Sequence, residues 1–271
     1  MERAIAGRTI TGLYKEPAEG SELIDEMLYG MEADILEESG EFVLVRTFYR
    51  YEGYVKKEDL ITDKTLVSKW QQGTLYVVKK QYADVLDAPK VQGSCVMELT
   101  RGGLLKRLED APEEGWVQVE LADGQTGYTR DSFLMPLKKQ PDQEEEDLRS
   151  DLVETARSYL GTQYRWGGKS PLGIDCSGLV SMAYLLNGII IYRDAQLKEG
   201  FPMKEIPFDK KKPGDALYFP GHIAMYIGED RYIHSTGKAG SDGVVINSFD
   251  PADPLYRADL VEKLKATGSV F

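Results

Sequence analysis

The chain has 271 residues, 45 of them acidic and 33 basic, giving a net charge of −12, with 42% apolar and 29% charged side chains. That length fits about two or three domains, and that composition supplies packed cores beneath a soluble surface, which excludes a mainly disordered chain. The acidic balance argues against nucleic acid and anionic membrane surfaces as partners, because phosphate selects clusters of Lys and Arg, and two cysteines, Cys95 and Cys176, make no disulfide scaffold.

The opening stretch MERAIAGRTITGLYKEP lacks the ~7–15-residue apolar core of a secretory signal. No apolar run reaches the ~18–20 residues of a membrane span, so none is expected. The compartment this points to is the cytoplasm, with secretion or wall association as the alternative if a signal has been removed.

An internal repeat organises the first half. LYKEP, ending at Pro17, corresponds to VLDAP, ending at Pro89, and Gly20-Ser21 to Gly93-Ser94. EFVLV (41–45) corresponds to GWVQV (115–119), EGYV (52–55) to TGYT (126–129), and Leu60 to Leu134; the offset begins at 72 residues and settles at 74. Short alternating runs separated by Gly, Asp and Glu turns predict small all-β units. Their order of turn, strand, Trp or Phe strand, turn and Gly-Tyr strand resembles the bacterial SH3-like domain, over 1–66 and again over 67–137. Cys95, in the alternating run SCVMEL, is expected to be buried.

Residues 138–147, KKQPDQEEED, are polar and aperiodic and read as a linker. Leu148, Leu152, Ala156, Tyr159 and Leu160 then recur at helical spacing up to Gly161. A second helix is predicted from Cys176 to a stop at Gly188. After Pro213-Gly214-Asp215, the runs ALYF, HIAMYIG, RYIHS and VVINSF predict an antiparallel sheet, so 148–271 reads as an α+β domain.

The only two histidines, His222 and His234, both fall in that sheet, and Cys176 heads a helix in the same domain. A helix N-terminus beside an imidazolium is where a thiol becomes a nucleophile. On its strand His222 shares a face with Ala224 and Tyr226, and His234 on a neighbouring strand could orient it through its other ring nitrogen. A single Cys in an apolar helix is more often core than nucleophile, so the flanking residues decide. They are Gly161-Thr-Gln-Tyr164-Arg-Trp166-Gly167-Gly168, Asp175-Cys176-Ser177-Gly178, Pro213-Gly214-Asp215, Gly221-His222-Ile223-Ala224-Met225-Tyr226 and Tyr232-Ile233-His234-Ser235.

This set resembles the NlpC family of papain-like cell-wall cysteine peptidases. With two SH3-like modules in front, the chain is similar to the subgroup that releases L-Ala-γ-D-Glu from peptidoglycan stem peptides with a free N-terminal L-Ala. The resemblance implies two SH3-like barrels followed by an α+β papain-like peptidase domain, with no cofactor, acting as a monomer on a stem peptide. It makes Cys176 the nucleophile, His222 the general base and acid, His234 the residue orienting it, and Tyr164 an oxyanion donor beside the Cys176 backbone N–H. Asp175 and Ser177 take positions that contact the bound dipeptide, although Asp175 is equally placed to cap the helix. Trp166 reads as a packing aromatic before the Gly-Gly turn.

Tyr51 stands where the second copy has Gln125. In the resembling subgroup this tyrosine helps hold the substrate amine and the first module blocks one end of the cleft. Glu22, Asp25 and Glu26 either assist or form a solvated face. Ala195 stands where relatives often carry a serine that contacts D-Glu, which leaves that contact without its hydroxyl. Two other readings compete: a wall-binding protein with an inactive peptidase domain, and a zinc site built from Cys176, His222 and His234, for which no CxxC or HxxxH pair is present.

Overall fold

The computed structural model describes residues 2–108 and 114–271. Its contacts divide the chain into two compact units, one ending at Leu137 and the other beginning at Lys138. In the first unit, β1 (Glu2–Ala6), β2 (Ile10–Tyr14), β3 (Leu23–Leu28), β4 (Glu32–Ser39), β5 (Phe42–Thr47), β6 (Glu52–Lys56) and β7 (Leu60–Ile61) form one sheet. After α1 (Lys64–Gln72), a second sheet is built from β8 (Leu75–Val78), β9 (Tyr82–Leu86), β10 (Cys95–Thr100), β11 (Leu104–Arg107), β12 (Trp116–Glu120), β13 (Thr126–Arg130) and β14 (Leu134–Pro136).

The first sheet runs β3-β2-β6-β5-β4-β1-β7 and the second β10-β9-β13-β12-β11-β8-β14. Each strand of the second stands seven places after its counterpart, so the sequence repeat is also a repeat of topology. The alternating runs bury one face: Ile5, Leu13, Val45 and Val55 in the first sheet, and Val85, Leu105, Val117 and Val119 in the second, are all fully buried. Cys95 departs from expectation and is exposed. It begins β10, the edge strand of its sheet, where no further strand covers it.

Helix α1 was not anticipated, and the 66/67 division expected from the repeat falls inside it. Asp63 caps it by accepting from the Thr65 and Leu66 amides at 2.9 and 3.0 Å. Its Trp70 is buried, and the Trp70 Nε1–H donates to the Gly30 carbonyl at 3.0 Å. Gly30 has φ of +80°, and a Cβ there would lie 2.8 Å from the Leu104 Cβ and 2.9 Å from the Trp70 ring, so glycine is required. The Leu104 amide donates to the Tyr29 carbonyl at 2.8 Å and the Ala122 amide to the Tyr29 hydroxyl at 2.9 Å. The two sheets thus meet through a hydrogen-bonded seam around the buried Trp70 and Tyr29.

The second unit contains α2 (Glu145–Arg157), the short hairpin β15 (Lys169–Ser170) and β16 (Gly173–Ile174), and α3 (Cys176–Leu185). There follow β17 (Lys204–Ile206), β18 (Ala216–Phe219), β19 (His222–Gly228), β20 (Arg231–Thr236), β21 (Gly243–Ser248), α4 (Ala258–Val261) and β22 (Ala266–Ser269). The antiparallel sheet runs β17-β22-β18-β19-β20-β21. The four predicted strands are its β18 to β21. The strands β17 and β22 went unseen because they are short and carry no alternation (β22 reads ATGS).

Helix α2 starts inside the expected linker, at Glu145. Its first turn holds Glu145, Glu146 and Asp147, which suit the positive end of the helix dipole. Both helices pack on the sheet, and the core lies between them and β18–β20 around Leu152, Ala156, Leu179, Val180, Ala183, Ile223 and Ile233. The Pro213-Gly214-Asp215 turn is fixed from the helices. Arg149 donates through Nη1 to the Pro213 carbonyl at 2.8 Å and to Asp215 Oδ1 at 2.9 Å, and the Tyr184 hydroxyl donates to the Gly214 carbonyl. Among the described residues no helix is long and apolar enough to cross a membrane.

Candidate active site

The site is assembled at the N-terminus of α3. Asp175 caps the helix, with extended backbone and Oδ1 accepting from the Gly178 amide at 2.6 Å. Its Oδ2 accepts from the Gly167 amide at 2.9 Å, so one carboxylate joins the helix start to the Trp166-Gly167-Gly168 loop. A Cβ at Gly178 would lie 2.1 Å from the Gly168 carbonyl oxygen, so helix and loop touch backbone to backbone. The glycines flanking the cysteine are therefore a packing requirement of the motif.

Arg193, which the sequence reading passed over, completes this cluster. It is 2% exposed and donates to Asp175 Oδ1 and Oδ2, both at 3.1 Å, to Ser177 Oγ at 2.7 Å and to the Gly167 carbonyl at 3.1 Å. The Ser177 hydroxyl in turn donates to Asp175 Oδ1 at 3.1 Å. Of the two roles open for Asp175, capping is the one the geometry displays. The polar atoms of Asp175 and Ser177 are engaged within the protein, by donors already present.

Cys176 is the first residue of α3 and is buried. Burial, and then Asp175, push its thiol up to about 11, opposed by the Ile223 backbone N–H, Arg193 and the Ser177 N–H. The Ile223 contact sets the sulfur against β19, next to His222. His222 Nε2 lies 2.7 Å from His234 Nδ1, and His234 Nε2 lies 2.8 Å from Asn247 Oδ1. The two imidazoles meet edge to face, with Phe219 against His222 and Tyr232 against His234.

Burial brings His222 down to about 3, with the charges of His234 and Arg257 adding to it. Burial likewise brings His234 down to about 4, against the hydrogen bond to Asn247. Burial thus favours the uncharged form of each group, a thiol and a neutral imidazole. Tyr164 is half-buried, held by its bridge to Ile174. Burial first, then Cys176 and Asp175, raise its phenol, which stays a hydroxyl donor at physiological pH.

A pH dependence of stability follows. Unfolding exposes His222 to water, where its ordinary value is 6.5, so below that pH the unfolded chain gains a proton that the folded chain refuses. The contribution of His222 to stability is complete above about 6.5 and is lost progressively as pH falls towards about 3. Relative to His222→Gln, the wild type is expected to lose about 2–3 kcal/mol between pH 7 and 4.5, read by urea unfolding. Parallel pH curves for the two proteins would contradict it.

Cys176, His222, His234, Tyr164, Asp175 and Ser177 all lie in the second unit. Tyr51 belongs to the first unit, in the turn between β5 and β6, where its carbonyl accepts from the Thr47 amide at 2.9 Å. Gln125 occupies the matching turn, accepting from the Leu121 amide at 2.8 Å. Asp25 and Glu26 form no solvated face: both are fully buried, and the Tyr49 hydroxyl donates to Asp25 Oδ2 at 2.6 Å. Trp166, expected as a packing aromatic, is instead 59% exposed, just before the Gly167 turn (φ +73°). Asn247 was also missed; an amide inside the strand run VVINSF was the available signal, since Asn is depleted in strands.

Comparison with known proteins places this geometry in context. The profile described as NlpC/P60 family matches residues 161–254, and that described as bacterial dipeptidyl-peptidase Sh3 domain matches residues 13–60. The chain is 46% identical to dipeptidyl-peptidase 6 of Lysinibacillus sphaericus over 99% of both chains. It is 34% identical to the gamma-D-glutamyl-L-lysine dipeptidyl-peptidase of Bacillus subtilis (strain 168), over 48% of this chain and 45% of that one. In fold it is similar to the crystal structure of an NlpC/P60 family protein from Bacillus cereus, with a TM-score of 0.80 and 20% identity over 98% of both chains.

Proposed function

The chain belongs to the NlpC/P60 family, and from that premise we propose that it is a cysteine dipeptidyl-peptidase acting on peptidoglycan stem peptides. It hydrolyses the bond between γ-D-Glu and the diamino acid, diaminopimelate or Lys, of peptides with a free N-terminal L-Ala, and it releases L-Ala-γ-D-Glu. The observation that carries this reading is the full-length similarity to a dipeptidyl-peptidase in a chain that retains Cys176 beside a hydrogen-bonded histidine pair.

The geometry supports the following chemistry. The sulfur of Cys176 attacks the γ-carbonyl carbon of D-Glu while its proton passes to His222. The developing oxyanion lies at the start of α3, where the Cys176 backbone N–H and the Tyr164 hydroxyl are its donors; one such donor is typically worth ~3–4 kcal/mol in the transition state. His222 then protonates the departing amine, leaving a thioester. Water attacks the thioester with His222 as base, and the thiol returns. His234 holds the His222 ring throughout.

The second sheet we take as a second SH3-like module. Its strand order, repeating that of the first, supports this, as does the sequence repeat. Selection for a free amine is assigned to the first module, through Tyr51. The test is mass spectrometry of digests of free L-Ala-γ-D-Glu-diaminopimelate and of the same peptide still carrying muramic acid. Release of L-Ala-γ-D-Glu from the free peptide alone is expected. Equal cleavage of both would keep the enzyme and remove the role given to Tyr51, and cleavage of neither would return the inactive wall-binding alternative.

A further inference from the structure

We propose that Asn247 is a positioning residue: it fixes the tautomers of both histidines, so that His222 presents a bare Nδ1 to the thiol. Asn247 lies on β21 opposite Tyr232 and is 7% exposed. Its Nδ2 donates to the Leu255 carbonyl at 2.8 Å, and its Oδ1 faces His234 Nε2 at 2.8 Å. A backbone carbonyl can only accept, so the amide has one workable orientation, with nitrogen towards Leu255 and oxygen towards the imidazole.

The consequence passes along the chain of hydrogen bonds. Facing an oxygen, His234 Nε2 must carry the proton, and in a neutral ring Nδ1 is then an acceptor. His222 Nε2, 2.7 Å from that acceptor, must donate. The remaining nitrogen of His222, Nδ1, is left with a lone pair and can take the Cys176 proton. Once it has done so, both ring nitrogens carry protons, and the Nε2–H bond to His234 is kept. With the amide reversed, every assignment flips and His222 Nδ1 already holds a hydrogen, which disables it as a base.

The Leu255 carbonyl is itself fixed. It also accepts from the Ser248 amide at 3.1 Å, and Tyr256 bridges to Ser248 alongside β21. The Leu255 amide donates to Asp253 Oδ1 at 2.8 Å, and Asp253 Oδ2 pairs with Arg231 at 3.1 Å. The segment 253–256, which supplies no group to the reaction, therefore sets the proton arrangement at its centre.

The catalytic consequence rests on the peptidase reading; the tautomer assignment does not, and it can be read without substrate. The chain has only two histidines, so imidazole 15N spectra of the full-length protein report this site alone. At pH 7 both rings are expected to show the Nε2–H pattern. Asn247→Asp keeps an acceptor for His234 and should retain that pattern, with kcat within ~10-fold of wild type. Asn247→Leu should give a mixture of tautomers at His222 and a kcat reduced ~10²-fold at unchanged KM, less than the ~10⁴ that an enforced wrong tautomer costs in a serine triad. A wild-type spectrum with Nδ1–H on His222 would overturn the assignment, as would Asn247→Leu with wild-type spectrum and kcat. The expected spectra from a protein that cleaves no stem peptide would uphold the tautomers and refute the peptidase reading.

Discussion

Cys176→Ala protein is expected to fold and to release no detectable L-Ala-γ-D-Glu, with turnover down by at least ~10⁴-fold. Loss of a nucleophile in a serine peptidase triad lowers kcat by ~10⁶, and only oxyanion stabilisation and binding remain afterwards. The fold tolerates the change because Cys176 makes its structural contribution through the backbone, as the first residue of a helix whose cap is Asp175. Removing one buried sulfur leaves a void of methyl size, which costs about 1 kcal/mol. Urea unfolding and mass spectrometry of digests, run on the same preparation, separate the two effects. Wild-type turnover in Cys176→Ala would refute the thioester route altogether.

The second large effect is expected at Arg193. Arg193→Met leaves the Asp175 carboxylate buried without its guanidinium partner, and breaking a buried pair from one side costs ~3–5 kcal/mol. The same guanidinium binds Ser177 and the Gly167 carbonyl, so its loss frees both the start of α3 and the loop it rests on. Activity should therefore fall even in the folded fraction. Arg193→Lys restores the charge but not the planar fork that serves Asp175, Ser177 and the Gly167 and Gly168 carbonyls, and it should recover only part of the stability. In a double-mutant cycle with Asp175→Asn, the combined loss should be smaller than the sum, because the second change removes the orphaned charge. An Arg193→Met protein within about 1 kcal/mol of wild type would show that the cluster is not under this electrostatic control.

The contrast between Cys176 and Arg193 marks what the sequence could disclose. Cys176, His222 and His234 were legible because each heads or punctuates a regular element whose period is visible: an apolar helix closed by Gly188, and the alternating run HIAMYIG. The duplication of the first half was legible for the same reason. Arg193 lies outside any helix or strand, and its meaning depends on Asp175, Ser177 and Gly167 converging on it, a tertiary fact with no local period. Asn247 needs the register of β21 against β20 before it can be paired with His234. Cys95 and Trp166 are exposed against expectation, because alternation and aromatic character do not by themselves specify what covers a side chain. Helix α1 was within reach, with Asp63 as cap and Leu66, Val67 and Trp70 at helical spacing, but the repeat drew the boundary there instead.

The seam between the two sheets bears on inheritance. Tyr29 lies on the opposite side from Leu104 and Ala122 of any break placed between the copies, a break at 66/67 also parts Trp70 from Gly30, and these five residues are buried or tightly packed at the seam. A recombination event that separated the copies would leave buried donors and acceptors unmatched, at ~1–3 kcal/mol each, together with an indole facing solvent. Selection would purge such products before any new partner could be tried. A cut between the copies is therefore expected to destabilise both, whereas a cut after Leu137 falls between the two compact units.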